Sequence, residues 1–219
     1  MAKDILFIQY IPESIREKFK TKLIEISEDL DVNPDWIMVA IATESVFKSD
    51  ALNEYGCSGL IQFCPDVKGG STKKIGGETY KLSSIRAMNH YKQLDLIYEY
   101  YKPFQNKINN VYDLKLATFY PKAIGEDRSY ILGSHNGTES SVYNANKSLA
   151  QNGHKYIQVK DIYKVVDDKI SKISINKESD TLTKGKKLLF RFYYIPLALG
   201  VIALVWGLNK QYKWVNITN

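Results

Sequence analysis

The sequence has few of the residues that mark special classes of chain. Its 219 residues include only two Cys, which excludes a disulfide-rich scaffold. Thirteen Gly and six Pro are too few for a collagen-like or low-complexity chain. Hydrophobic residues make up 44% and charged residues 25%, as in an ordinary globular protein. The length fits one domain, or one domain with an appendage.

Most of the chain has little excess of positive over negative charge, although the net charge is +6. Residues 176–219 hold seven Lys or Arg and two acidic residues, a net of +5, so the first 175 residues carry about +1. Such a body lacks the cationic surface that a nucleic-acid backbone requires, and we expect no nucleic-acid partner. The apolar run over residues 5–11 is short and interrupted by Gln9, unlike a secretory signal.

Apolar residues recur at helical spacing and predict a mainly α body. Ile15 to Leu30 form the stripe of a first helix, and Asn33-Pro34 begin a second that is apolar or small on nearly all sides. Further helical spacing occurs over residues 85–101, 111–119 and 159–173. The intervening residues 49–82 and 125–157, rich in Gly, Ser or Asn, are predicted to be irregular.

A long hydrophobic run lies near the C-terminus. Seventeen of the 21 residues over 188–208 are apolar, and as a helix the run would span ~31 Å, the thickness of a bilayer core. Lys, Tyr and Trp flank it as interfacial anchors would. We predict a body over residues 1–175, a basic linker over 176–187, a transmembrane helix over 188–208 and a tail over 209–219. A buried core helix or an oligomer-forming helix is the alternative.

Two neighbouring segments of the sequence indicate a catalytic site. Glu44 lies in the last turn of the second helix, and the Gly-rich turn 56–63 begins twelve residues later. Desolvation at the end of an apolar helix favours the neutral form of a carboxyl group, which can then act as a general acid. Gln62 offers a hydrogen-bond donor and an acceptor to a polar substrate. Taken alone, a Glu at a helix end is more often a capping or solvated residue.

The combination resembles the lysozyme-like lytic transglycosylases, and in particular their phage virion-associated branch. The double motif of that family is a Glu-Ser pair that closes a helix, followed by Gly-x-x-Gly-Leu-Met/Ile-Gln. The matching residues are Glu44, Ser45, Phe47, Ala51, Asn53, Gly56, Ser58, Gly59, Leu60, Ile61, Gln62, Phe63 and Pro65. Weaker similarity continues at residues 119–125 and at Tyr143, so the resemblance covers roughly residues 30–165.

The resemblance implies a lysozyme-like fold and cleavage of the β-1,4 bond between N-acetylmuramic acid and N-acetylglucosamine in peptidoglycan. Glu44 would protonate the leaving oxygen and then take a proton from the attacking hydroxyl, either the 6-hydroxyl of the sugar or water. The substrate would contact Ser45, Gly59, Gln62, Phe63 and Tyr143. Glycan strands are the implied partner, with other virion proteins and a membrane as further partners.

Some features of the family are missing or undecided. The segment 152–154 lacks the carboxylates of a calcium loop, and we expect no metal and no cofactor. A second carboxylate could come from Asp50, Glu54 or Asp66, although exposed loop acids are the more frequent case. Cys57 and Cys64 are expected to be free, semi-buried thiols.

The distribution of charge bears on location. More Lys precede the 188–208 segment than follow it, which would leave the body on the cytoplasmic side, where a wall-cleaving enzyme has no substrate. A virion membrane, or delivery with the particle to the host wall, resolves this conflict. We therefore expect a membrane-associated virion enzyme that aids genome delivery. The alternatives are an inactive peptidoglycan-binding virion protein and an endolysin for host lysis.

Overall fold

The computed structural model describes residues 5–183, and these residues are mainly helical, as the spacing of apolar residues predicts. The chain divides into two units, Met1–Asn176 and Lys177–Asn219, and every side chain discussed below lies in the first. The α-helices are α1 (Arg16–Asp29), α2 (Pro34–Ser45), α3 (Leu82–Arg86), α4 (His90–Tyr101), α5 (Val111–Phe119) and α6 (Val159–Thr183). One hairpin is formed by β1 (Thr72–Ile75) and β2 (Glu78–Lys81).

Helix α2 begins as the sequence predicts. The Asn33 side chain accepts a hydrogen bond from the backbone N–H of Asp35, and Pro34 occupies the first helical position. Nine of its twelve residues are buried, so it is the central helix. It ends slightly earlier than expected, because Val46 and Phe47 have left-handed backbones with φ of 50° and 63°. This bend turns the chain at once into the Gly-rich segment.

The region between α2 and α5 contains more structure than the sequence predicts. The hairpin of β1 and β2 was expected to be irregular, and Gly76-Gly77, with φ of 57° and 90°, form its two-residue turn. The helix expected over residues 85–101 is broken into α3 and α4. Asn89 separates them, because its side chain caps α4 by accepting from the N–H of Lys92.

The core is built around contacts of α1 with α4 and of α2 with α5. Phe19, Leu23, Ile41 and Ile97 are fully buried within it. A second, smaller apolar cluster joins α5 to the start of α6 and to the 123–157 segment. Burial of these surfaces, at roughly 25 cal/mol per Å² of apolar area, holds α2 between the other helices. The end of α2 is thereby fixed relative to α4, α5 and α6.

The predicted transmembrane segment over residues 188–208 lies outside the described residues. Within residues 5–183, no helix has both the length and the apolar character needed to cross a bilayer.

Candidate functional site

Glu44 lies in the last turn of α2 and is largely covered. Its side chain is 13% exposed and that of Lys115, on α5, is 14% exposed. The Lys115 ammonium donates a hydrogen bond to Oε1 of Glu44 and forms an ion pair with it. The sequence predicts only that Glu44 is shielded from water. The fold also brings the Lys115 ammonium into contact with its carboxylate.

A second cation reaches the same end of α2. The ammonium of Lys169, on α6, donates to the backbone carbonyl of Thr43, immediately before Glu44. Carbonyls in the last turn of a helix carry partial negative charge, so a cation is favourable there. Burial lowers the pKa of Lys169, while the negative charge of Glu44 acts in the opposite direction. Two ammonium groups from two different helices therefore meet the C-terminal end of α2.

The Gly-rich turn after α2 is closed by a disulfide. Cys57 and Cys64 are bonded to each other, so the expectation of free thiols is wrong. Between them, Ser58 and Phe63 exchange two backbone hydrogen bonds of 2.9 Å, which brings the two cysteines to the same end of the turn. This closed segment, residues 57–64, is called the clasped turn below. A seven-residue separation alone could not show that the two strands of the turn pair.

Gln93 fixes the clasped turn to α4. Its amide oxygen accepts from the backbone N–H of Leu60 at 2.8 Å. Its amide nitrogen donates to the carbonyls of Ser49, Ile85 and Met88 at 2.6 to 3.1 Å. Gln93 is fully buried, so these bonds satisfy a polar group with no access to water. A Cβ added at Gly59 would lie 2.5 Å from the same amide oxygen, which explains why glycine is needed there.

Three predicted substrate contacts point into the protein. The Gln62 side chain is 8% exposed and donates to the carbonyls of Gly59 and Ala51. The hydroxyl of Ser45 is buried and donates to Ile41, one turn earlier in α2. Phe63 is 2% exposed. In this conformation, these side chains shape the turn and the helix end instead of presenting themselves to a ligand, because burial and internal bonds already engage them.

Tyr100, on α4, packs against the clasped turn. Its ring packs edge-on against Phe63, with 5.5 Å between the ring centroids. Burial raises the pKa of Tyr100, and the negative charges of Glu44 and Asp66 raise it further. Both carboxylates therefore lie within electrostatic range of one phenol. Helix α4 thus places one phenol against the clasped turn and within electrostatic range of Glu44.

Asp66 is the candidate second carboxylate whose charge acts on Tyr100. Its Oδ1 pairs with the ammonium of Lys73 at 2.9 Å and its Oδ2 accepts from the N–H of Lys74 at 2.6 Å, so the pKa of Asp66 is lowered. Asp50 and Glu54 are exposed in the preceding loop. Among residues 5–183, no group of three or more His, Cys, Asp or Glu could hold a metal ion.

Tyr143 lies in a different part of the body. Its backbone N–H donates to the carbonyl of Ser140 in the 125–157 segment, and no described contact joins its side chain to Glu44. A cavity of about 410 Å³ lies next to it in the chain. That cavity is lined by Ser134, His135, Asn136, Glu139, Ser140, Ser141 and Asn144. None of its lining residues belongs to the predicted site.

Lys115, Lys169 and Gln93 were not identified from the sequence. Lys115 and Lys169 are 71 and 125 residues from Glu44, and nothing in their local spacing marks them as its neighbours. Gln93 did carry a signal. It shares a helical face with the buried Ile97 and Tyr101, at intervals of four residues, so a polar side chain was predictable within an apolar stripe.

No protein-family model matches the chain, and no curated protein or solved structure matches it either.

Proposed function

We propose that the chain cleaves the β-1,4 glycosidic bond between N-acetylmuramic acid and N-acetylglucosamine, with Glu44 as the proton donor. The observation that carries the proposal is the position of Glu44, a mostly covered carboxyl group at the C-terminal end of the central helix. The motif that follows it folds into the clasped turn, to which α4 is joined by the hydrogen bond of Gln93 and the ring contact of Tyr100. The proposed fold is lysozyme-like.

The chemistry requires one group that gives and then takes a proton. Glu44 in its neutral form donates to the bridging oxygen as the bond from that oxygen to the anomeric carbon breaks. The attacking oxygen, from the sugar's own 6-hydroxyl or from water, bonds to the anomeric carbon and returns its proton to Glu44. The first nucleophile would leave a 1,6-anhydro sugar and the second a reducing end.

We assign the narrower site roles differently from the sequence expectation. Gly59 permits the close packing that orients the turn, and Ser45, Gln62 and Phe63 support its shape through buried contacts. The glycan would contact the backbone of this turn and the exposed residues beside it, such as Tyr55, which is 67% exposed. An exposed aromatic ring can stack on the apolar face of a sugar.

The proposed location is a membrane of the virion. The segment 188–208 would span a membrane, and the body would act on the host wall when it is delivered with the virion. Its partners would be glycan strands, the membrane and other virion proteins.

A second candidate is a glycan-binding virion protein that does not catalyse. The ion pair between Glu44 and Lys115 favours it, because the Lys115 ammonium already occupies Oε1 of the carboxylate. In that case the clasped turn would serve binding alone.

The substitution Glu44→Gln separates the two candidates. It preserves shape and hydrogen-bonding atoms but removes the transferable proton, so the rate of clearing of purified peptidoglycan should fall by roughly 10²–10⁴-fold. Binding to the same peptidoglycan, measured by co-sedimentation, should persist. The matched control is Glu54→Gln, an exposed acid of the neighbouring loop, which should leave the rate unchanged. Equal clearing by wild type and Glu44→Gln would reject Glu44 as the acid, and binding without clearing by either would favour the second candidate.

A further inference from the structure

Val46 has a backbone conformation that its residue type disfavours. It directly follows the last residue of α2, with φ of 50° and ψ of 45°, in the left-handed region. Glycine or asparagine usually occupies this position after a helix, because a β-branched side chain is crowded there. A valine in this conformation lowers the stability of the fold unless its side chain makes contacts that compensate.

The other non-glycine residues with left-handed backbones have a visible reason for them. Three are of the types that adopt this conformation most readily, namely Asp31, Asn106 and Asn152. Phe7 and Phe47 are buried and pack against each other, with 5.7 Å between the ring centroids. Gln62 is buried and donates to two backbone carbonyls. Among the described residues, only Val46 combines a β-branched side chain, a positive φ and an exposed position, at 60%.

The fold requires the bend at Val46 but not its side chain. Ser45 before it and Phe47 after it are both buried, so the chain must turn between them. The backbone N–H of Val46 donates to the carbonyl of Ala42, and the carbonyl of Phe47 accepts from Nε2 of His90 on α4. Glycine or asparagine at position 46 could make the same backbone bond. Contacts within the described residues therefore do not explain why a valine stands there.

Val46 belongs to a part of the chain where exposed apolar side chains are concentrated. In the described residues, the large apolar side chains that are exposed are Tyr10, Val46, Leu52, Tyr55 and Val67. Tyr10 stacks on Phe47, the next residue after Val46, with 4.9 Å between the ring centroids. Leu52 pairs with Ser58 in an isolated backbone bridge, which attaches its loop to the clasped turn. Exposed apolar groups thus accumulate on the segments that carry the proposed catalytic motif.

A glycan is the occupant whose chemistry fits this surface. The proposed reaction brings an N-acetylated sugar to Glu44, two residues before Val46 in the chain. Such a sugar presents apolar C–H faces and the methyl of its N-acetyl group. An aliphatic side chain can cover that methyl and an exposed ring such as Tyr55 can stack on a C–H face, as apolar groups do in other ligand sites.

We infer that Val46 is a substrate-contacting residue, whose exposed side chain packs against the apolar part of an N-acetylated sugar bound at Glu44. This inference rests on the proposed function of Glu44. The strain at Val46 is then a cost that the free protein bears for recognition of the glycan. Val46 takes no part in proton transfer.

The variants separate the backbone from the side chain. Val46→Asn and Val46→Gly both relieve the left-handed conformation and remove the aliphatic group. Val46→Ile keeps the aliphatic group and the disfavoured backbone. Asp31→Gly is the matched control, since Asp31 is exposed just after the end of α1 with φ of 55°.

The first measurement is urea denaturation of the full chain, with every variant in the same detergent. Val46→Asn or Val46→Gly should unfold at the same urea concentration as the wild type or at a higher one, because strain is removed and few internal contacts are lost. Equal or greater stability of either variant shows that the fold does not need the valine side chain. Lower midpoints in both variants would make Val46 a structural residue and would overturn the inference.

The second measurement is co-sedimentation with purified peptidoglycan, in a Glu44→Gln background so that the polymer stays intact. Adding Val46→Asn or Val46→Gly should raise the protein concentration for half-maximal binding by about three- to tenfold, the order of effect expected for the lost burial of one aliphatic side chain. Val46→Ile and Asp31→Gly should bind like Glu44→Gln alone. Undiminished binding by the Asn and Gly variants would overturn the inference. If those variants also lost a self-association seen in size-exclusion chromatography, the surface would belong to a second copy of the chain.

These outcomes differ from a failure of the proposed function. A wild-type chain that binds peptidoglycan but releases no product would reject catalysis by Glu44, while the binding of the Val46 variants would still decide whether the contact exists. A chain that binds no peptidoglycan, with Glu44 intact or replaced, would reject the glycan as occupant and both proposals with it.

Discussion

Glu44 is surrounded by groups that its neighbours in the chain do not reveal. Its place at the end of a buried helix follows from helical spacing, because a carboxylate in the last turn of an apolar helix must lie at the edge of the core. Its contact with Lys115 depends on how α2 packs against α5, and that packing is set by many side chains together. Sequence therefore indicated the residue but not its electrostatic environment.

Gly59 offers a test at the same scale. Its φ of +80° disfavours any side chain, and an added Cβ would lie 2.5 Å from the amide oxygen of Gln93. Gly59→Ala should lower the free energy of unfolding by about 1–2 kcal/mol from the backbone. Disturbing the buried hydrogen bonds of Gln93 should add about 1–3 kcal/mol. The measurement is urea denaturation followed by circular dichroism.

The control for this substitution is Gly69→Ala. Gly69 has a similar φ of +75°, but nothing lies within 4 Å of an added Cβ. Its variant should lose only the backbone contribution. If both alanine variants were destabilised equally, the close packing of Gln93 against Gly59 would contribute nothing to the free energy of unfolding.

At the scale of elements, the sequence predicts helices better than the segments between them. Helices α1, α2 and α5 follow from apolar residues three and four apart. Asn33 and Pro34 predict the start of α2, because Asn caps a helix and Pro is favoured at its first position. The hairpin was missed because its strands are four residues long and mostly polar, although Gly76-Gly77 carried the signal of a turn. The clasped turn was missed because its backbone pairing and its disulfide depend on the tertiary structure and leave no periodic pattern in the sequence.

The disulfide gives an element-scale prediction. Closing so short a loop restricts the unfolded chain, so replacing both Cys57 and Cys64 with Ala should lower the free energy of unfolding by roughly 2–3 kcal/mol. Denaturation of the wild type with and without a reducing agent measures the same difference. The double variant should be insensitive to reductant. Unchanged stability of the reduced wild type, with both thiols shown free by alkylation, would contradict the prediction.

At the scale of the whole molecule, the charge is divided between a nearly neutral body and a basic C-terminal region. The hydrophobic run over residues 188–208 predicts that the full chain needs detergent, because 17 of its 21 residues are apolar. A shortened chain that ends at Thr183 retains all six described α-helices. It should stay soluble and monodisperse without detergent in size-exclusion chromatography. A full chain that behaves in the same way without detergent would contradict the membrane assignment.

The measurement that tests the central claim most directly is mass spectrometry of purified peptidoglycan after incubation with the full chain. Cleavage by Glu44 predicts muropeptides that end in N-acetylmuramic acid, as either a 1,6-anhydro sugar or a reducing end, and their absence from a digest with folded Glu44→Gln. The anhydro form would identify a lytic transglycosylase and the reducing end a muramidase. No released muropeptide from the wild type, or the same products in equal yield from Glu44→Gln, would contradict the claim.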